Sequence, residues 1–473
     1  MADKDIALMA HLMRRAGFGA PREELESRVA KGYEATVEEL VDPEANNIPA
    51  IDEAVMFRHQ PGWERPGGAN VNLGQANWLY RMINTPRPLQ EKMTLFWHHV
   101  FATGASKIDN TDIMLIQIEM LRKNALGNYR ELLLELARNP AMIYWLDNNE
   151  NHADAPNENW GRELLELFAM GQGNYSEDDV KVAARAFTGW TISPKLPRAP
   201  YGRFPWNFEY RSEDHDDSEK VFLGEHGRFN GEDIINIAIN RPATPRFIAR
   251  HLYNFFVADE VQVPSWLDVA PRDPEAIQII SDALVDSNFD LKSTMRTVFN
   301  SDFFKDESVW YSKVKSPAEV VAGTMRLVKY LQSPRPDMDP IVQEAGYQGQ
   351  SILDPPSVEG WHTGQEWIDT GSLVRRINFV ADWLSNTELP GIQSIVDRLG
   401  SQQKLTPEEL VDSCIDLVGP THVDEATRLE LIAHTASDGD AVRGTTEDER
   451  AAFARRVGDV LQIIASTREY QFG

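Results

Sequence analysis

Hydrophobic residues recur along most of this chain at the three- and four-residue spacing of amphipathic helices, and alternating period-two runs are scarce. That spacing predicts helices over roughly 5–16, 22–31, 33–41, 71–84, 87–102, 111–124, 127–138, 158–170 and 177–189. It continues over 231–239, 243–258, 273–286, 290–300, 315–332, 371–384, 406–417, 423–435 and 446–465. The best strand signals are "FPWNFEY" at 204–210 and "EKVFL" at 219–223, which predict one short hairpin near 204–223 on a helical body. The fold class is therefore mainly α: a large multi-helix globular domain with a minor β-hairpin.

Start signals support several helices. "SEDD" at Ser176–Asp179 places a hydroxyl three residues before a carboxylate, the capping arrangement in which each satisfies a free backbone N–H, and "TPEE" at 406–409 and "TTED" at 445–448 repeat it. A Pro-rich stretch at 191–205 and the segment 333–356, with five prolines, predict long ordered loops. From about 398 the chain turns acidic and poor in aromatics. The organisation expected is a helical domain over 1–397 and an acidic helical appendage over 398–473.

Composition narrows the chemistry. The net charge of −26 repels nucleic acid and anionic membranes, so no nucleic-acid partner is expected. Cys414 is the single cysteine, which excludes an intrachain disulfide and leaves any metal to His, Asp and Glu. No apolar run reaches the ~18–20 residues of a membrane span, and the first residues lack the pattern of a secretory leader; a cytoplasmic location is the expectation. The glycine, lysine and histidine motifs of dinucleotide, P-loop, zincin and α/β-hydrolase sites are missing.

Four segments concentrate polar chemistry. "APNENWGRELLELF" places Asn157 as the cap of a helix that puts Glu158, Asn159, Arg162, Glu163 and Glu166 on one arc, with Trp160, Leu164, Leu165, Leu167 and Phe168 on the other. The arc suits either a solvated face with Glu158–Arg162 and Arg162–Glu166 pairs or an acid–base site. In "EKMTLFWHHVFAT" Leu89, Met93, Phe96 and Val100 form the apolar stripe, leaving His98 nearly opposite and on a face with Glu91. "EDHDDSEKVFLGEHG" offers His215, Asp216 and Lys220 in an irregular segment, a pairing of imidazole and carboxylate that suits a divalent ion. "LDPPSVEGW" combines rigid prolines with Trp361.

Together with "HLMRRAGFGAPREEL", "NPAMIYWLDNNEN", "RPATPRFIARHLYNFFV" and "VKSPAEVVAG", these blocks stand in the order of the bacterial domain of unknown function 1800 family, which the chain resembles over about 8–390. The resemblance implies a largely helical bacterial protein, often associated with a sulfatase-like partner family. Matched onto this sequence, its polar pattern includes His98, Asn157, Glu158, Arg162, Glu163, Trp190, His215, Asp216, Lys220, Arg250 and Trp361. Two positions depart from it: Val100 stands where the family has a second histidine, and Ser218 where it has glycine.

Three functions stay open on these residues. The first is an enzyme, with metal-assisted hydrolysis as the favoured reaction: Glu158, Arg162, Glu163, His98 and Lys220 are its catalytic candidates, and His98, Glu158, His215 and Asp216 would hold a divalent metal. Asn157, Asn159, Trp190, Arg250 and Trp361 would line the substrate site of that enzyme. The second is a binding or assembly protein acting with a sulfatase-like partner. The third is a haem or redox protein with histidine ligands.

Overall fold

The computed structural model describes residues 4–52, 71–108, 110–193, 206–335 and 338–473. Helices follow the predicted spacing closely, for example Tyr33–Val41, Thr111–Lys123, Ala243–Phe256 and Thr370–Ser385. The capping signals are realised: Ser176 and Asp179, Thr406 and Glu409, and Thr446 and Glu449 each form the reciprocal pair at a helix start. The third sits one residue later than "TTED" implied.

Helix Pro88–Val100 lies at the centre of the packing. Trp97 stacks on Phe101, with ring centroids 5.2 Å apart and planes 9° apart, and meets Tyr129 at 5.4 Å. Phe96 touches Phe255 and Phe256 of the helix Ala243–Phe256. Neighbours cover this helix on nearly every side, so its polar residues are buried along with its apolar stripe. Glu91 there accepts from Arg122 and from the Trp78 indole N–H. A helix buried all round has no solvent face for a period of 3.6 to reveal, which corrects the expectation that His98 occupies a polar face: its exposure is 0%.

Helix Asn159–Glu163 runs into a π-helical stretch, Leu164–Ala169, and packs against helix Glu177–Ala186. The approach is close enough that a Cβ on Gly161 would stand 3.1 Å from the Ala183 Cβ and from the Ala184 nitrogen.

The strands differ in pairing from the single hairpin expected. Asn207–Tyr210 returns to pair antiparallel with Trp190–Ser193, while Lys220–Phe222 forms its own tight hairpin with Glu225–Gly227. Trp190 is fixed to Tyr210 across the first ladder and packs between Phe187 and Phe208. The segment 333–356, expected as a loop, contains the helix Asp339–Tyr347. Residues 194–205, most of the Pro-rich stretch and the start of "FPWNFEY", and Pro336 lie outside the described residues.

The acidic C-terminal residues are stitched to the rest. Helix Glu447–Ala465 packs along Thr370–Ser385, the Lys315 N–H donates to the Gln471 carbonyl at 3.0 Å, and Arg376 Nε donates to the Gln471 side chain at 3.1 Å. No helix among the described residues is long and apolar enough to cross a membrane.

Candidate functional site

The polar arc of the 157–166 segment lies at the protein surface. Asn157 accepts from the Asn159 N–H at 3.0 Å, and its own N–H donates to Asn151 at 2.9 Å, which fixes the entry to the helix. Asn159 is exposed and reaches Asp147 at 3.4 Å. Glu158 pairs with Arg162 at 3.2 Å as the spacing predicts. Arg162 does not turn to Glu166, however; its guanidinium takes both oxygens of Glu177 from the next helix, at 2.8 and 2.7 Å. The clasp is half-exposed, so the arc borders solvent.

Two carboxylates further along behave differently. Glu166 accepts from the Tyr175 hydroxyl at 2.9 Å and from the Gln172 amide. Glu163, half-buried beside it, has no hydrogen bond or ion pair among the described residues. Burial and the charge of Glu166, joined by Glu359 from the loop before Trp361 and only partly offset by Arg162, push its carboxyl up to about 7. The pair thus holds one acid that keeps its proton near neutrality and one that is hydrogen-bonded as an acceptor. They stand where the helix changes to π-winding, a local irregularity often found at functional sites.

Glu166 also opens onto a groove of about 720 Å³. Amides of Gln172, Asn174 and Gln278, the exposed Arg246 and the rings of Phe247 and Trp266 line it. Arg250 forms the floor, its charge held at 2.8 Å by the buried Glu260 and its guanidinium stacked 4.6 Å from the Trp266 ring. Two tight glycine turns, at Gly171 and Gly173, carry the wall past Phe247 and Leu267.

The remaining candidates occupy two other settings. His98 is wedged edge-on between Trp78 and Trp361, at 5.4 and 5.3 Å, with both ring nitrogens lacking partners among the described residues. Burial, with a smaller effect of His99, drives its pKa down to about 3, so the ring is neutral. Trp361 lies parallel to His99 and donates its backbone N–H to His99 Nδ1 at 3.3 Å.

In the third setting, the His215 Nδ1–H donates to the Thr188 carbonyl at 3.0 Å, and Asp216 accepts from Arg185 Nε at 2.6 Å and from the Ser218 N–H at 2.9 Å. Lys220, wholly buried, donates to the carbonyls of Asp216 and Ser218. Although burial disfavours its charge, these hydrogen bonds from Arg185 and Ser218 hold the Asp216 carboxyl well below the usual range. Trp190 is a core residue of the strand next to this loop.

No hydrogen bond or ion pair joins His98, Glu158 and the His215–Asp216 segment, and among the described residues no three His, Cys, Asp or Glu side chains are grouped to hold a metal ion. Glu163 was legible as a candidate; Glu166 was visible in the arc but its pairing with Tyr175 and Gln172, which separates its role from that of Glu163, depends on the turn at 171–175. Arg246, Trp266 and Gln278 carried no local signal, because they become neighbours of Glu166 only through tertiary packing.

A family model described as protein of unknown function, DUF1800, matches residues 11–472 and so takes in the acidic C-terminal region as well. No curated protein and no solved structure matches the chain.

Proposed function

The chain belongs to the DUF1800 family, and we propose that it is a hydrolase in which Glu166, on the wall of the groove, and Glu163, on the same helical stretch beside it, divide acid and base roles. The observation that supports this most is the unpaired Glu163 carboxyl, held protonated to about pH 7 beside the hydrogen-bonded Glu166. A carboxyl of that kind donates a proton to a leaving-group oxygen at neutral pH; a neighbouring carboxylate activates water or attacks the substrate itself. Amides, Arg246 and the Phe247–Trp266 rings give the groove the mixed aromatic and hydrogen-bonding wall that suits a hydroxyl-rich, saccharide-like substrate. Arg250, fixed by Glu260, provides a rigid floor rather than a free anion receptor.

The test is a panel of chromogenic glycosides and esters assayed with the purified full chain, with and without a chelator, alongside Glu163→Gln and Glu166→Gln. Turnover that survives the chelator and falls about 10²–10⁴-fold in each variant is expected. Turnover that is unchanged in both variants removes the proposal.

A further inference from the structure

Among the described residues, three charged side chains line the groove: Glu166, Arg246 and Arg250. Two of them are engaged by the protein itself. Glu166 accepts from Tyr175 and Gln172, and Arg250 gives Nε and Nη2 to Glu260, whose side chain is 2% exposed, so the charge of Arg250 is offset where it stands. Arg246 is exposed and has neither a hydrogen bond nor an ion pair with any described residue. Helix stability does not account for it. It falls in the first turn of the helix Ala243–Phe256, where the dipole disfavours a cation, and four residues before Arg250, where a like charge is repelled. No acidic residue in that first turn offsets it.

The lining amides favour the opposite kind of partner. Asn174 directs its NH₂ to the Met170 carbonyl at 2.9 Å, Gln278 to Asp282 at 2.7 Å and Gln172 to Glu166, while no described residue donates to the three amide oxygens. Those oxygens, with Glu166, form a wall that accepts from hydroxyls. An anionic group on a ligand is matched at one place along it, Arg246. An open guanidinium fork fits the two coplanar oxygens of a carboxylate, and this protein uses the pairing elsewhere: Arg296 and Arg375 each hold both oxygens of one glutamate through Nε and Nη2. The net charge of −26 disfavours an anionic ligand over the surface as a whole, so a preference for one must come from this local cation.

We propose that the groove takes an acidic saccharide, one bearing a carboxylate as a uronic acid does, and that Arg246 is the residue that selects it while the amide oxygens accept from the ring hydroxyls. This rests on the hydrolase reading for the chemistry at Glu163 and Glu166, but binding is separable from turnover. Calorimetric titration of the full chain with trisaccharides of galacturonate, glucuronate and mannuronate tests it, each compared with its methyl ester, which keeps every hydroxyl and loses only the charge. At least one acid is expected to bind about 10–100-fold more tightly than its ester. Arg246→Gln should bring that acid down to its ester and leave the ester unchanged, with Arg246→Lys, which keeps the charge but loses the fork, in between. Because Arg246 is exposed and unpaired among the described residues, the melting temperature should not move.

The same three acids as 4-nitrophenyl glycosides give the turnover arm. An acid preferred over its ester, with no hydrolysis of its glycoside, defeats the hydrolase reading and supports Arg246 as the selecting group. Hydrolysis of neutral glycosides that is indifferent to Arg246→Gln, with no acid preferred over its ester, does the reverse. A preference that survives in Arg246→Gln overturns the proposal, because another group then meets the carboxylate. So does a sulfated trisaccharide bound more tightly than all three acids, or no binding of any acid.

Discussion

Glu163 and Glu166 share one short helical stretch, yet Tyr175 and Gln172 both donate to Glu166 while no described residue donates to Glu163. Burial and the charge of Glu166 raise the Glu163 carboxyl to about 7, and that fixes the sign of the pH dependence. Glu163 as acid must carry its proton, so the rate is expected to be full below about pH 7 and to fall as pH rises through that value. Glu163→Gln should remove this alkaline limb together with most of the activity, which a pH–rate profile of both proteins checks. An alkaline limb that persists in the variant would sink the acid role.

Arg162 offers a finer control on the same carboxyl. Its charge is the one effect on Glu163 that opposes burial and the neighbouring carboxylates. Removing it in Arg162→Ala should therefore raise the Glu163 pKa and move the alkaline limb to higher pH. The Glu158–Arg162–Glu177 clasp is largely solvated, so the same change should lower stability by less than about 1 kcal/mol. Carboxyl-carbon NMR of Glu163 and a denaturant titration separate the two effects.

How much of this was readable beforehand depends on the range over which each feature is decided. Helix starts such as Ser176 and Thr406 are local contests between a side chain and the nearest backbone groups, and the sequence carries them in four residues. The Glu158–Arg162 pair is equally local. His98 was misplaced because facing is inferred from contrast between two sides of a helix, and the Pro88–Val100 helix has buried neighbours on both. Strand pairing failed for a related reason: Asn207–Tyr210 was matched with the nearer following strand, whereas Trp190, at the far end of a Pro-rich stretch, supplies an aromatic surface for Phe208. The groove around Glu166 is assembled from segments scores of residues apart, and single segments hold no trace of it.

The Lys92–Glu319 pair predicts a large cost on substitution. Lys92 is fully buried and donates also to the Gly17 carbonyl at 2.9 Å, tying the N-terminal segment to the Pro317–Leu327 helix. Glu319→Gln leaves that ammonium without its counter-charge and should destabilise the protein by about 3–5 kcal/mol, measured by chemical denaturation at pH 7. Burial opposes ionisation of Glu319, but the charges of Lys92 and Lys313 overcome it and hold the carboxyl at about 2. A carboxyl depressed in this way stabilises the fold above the unfolded value near 4.5 and loses that contribution as pH falls through about 2. The difference in stability between Glu319→Gln and the unsubstituted protein should accordingly shrink across that acid window. A constant difference from pH 5 to pH 2 would assign the cost to packing instead.

The Trp361–His99 contact rests on a glycine. Gly360 adopts φ +89°, a left-handed conformation that disfavours side chains, and a Cβ there would stand 2.4 Å from the His99 carbonyl oxygen and 2.7 Å from its Nδ1. Both obstacles belong to the buried central helix, one of them to its backbone, so relief must come from the loop. Gly360→Ala should push Trp361 off the His99 ring and away from His98, since one peptide unit carries both the offending Cβ and the N–H donated to Nδ1. Backbone strain and lost packing together should cost about 3 kcal/mol or more. The displaced indole should also change near-ultraviolet circular dichroism. Because Glu359 adjoins this turn and contributes to the elevated Glu163 pKa, the alkaline limb of the rate profile should move to lower pH if the loop retreats. A variant that loses stability while leaving that limb in place would show that Glu359 acts on Glu163 from a position independent of the Trp361 contact.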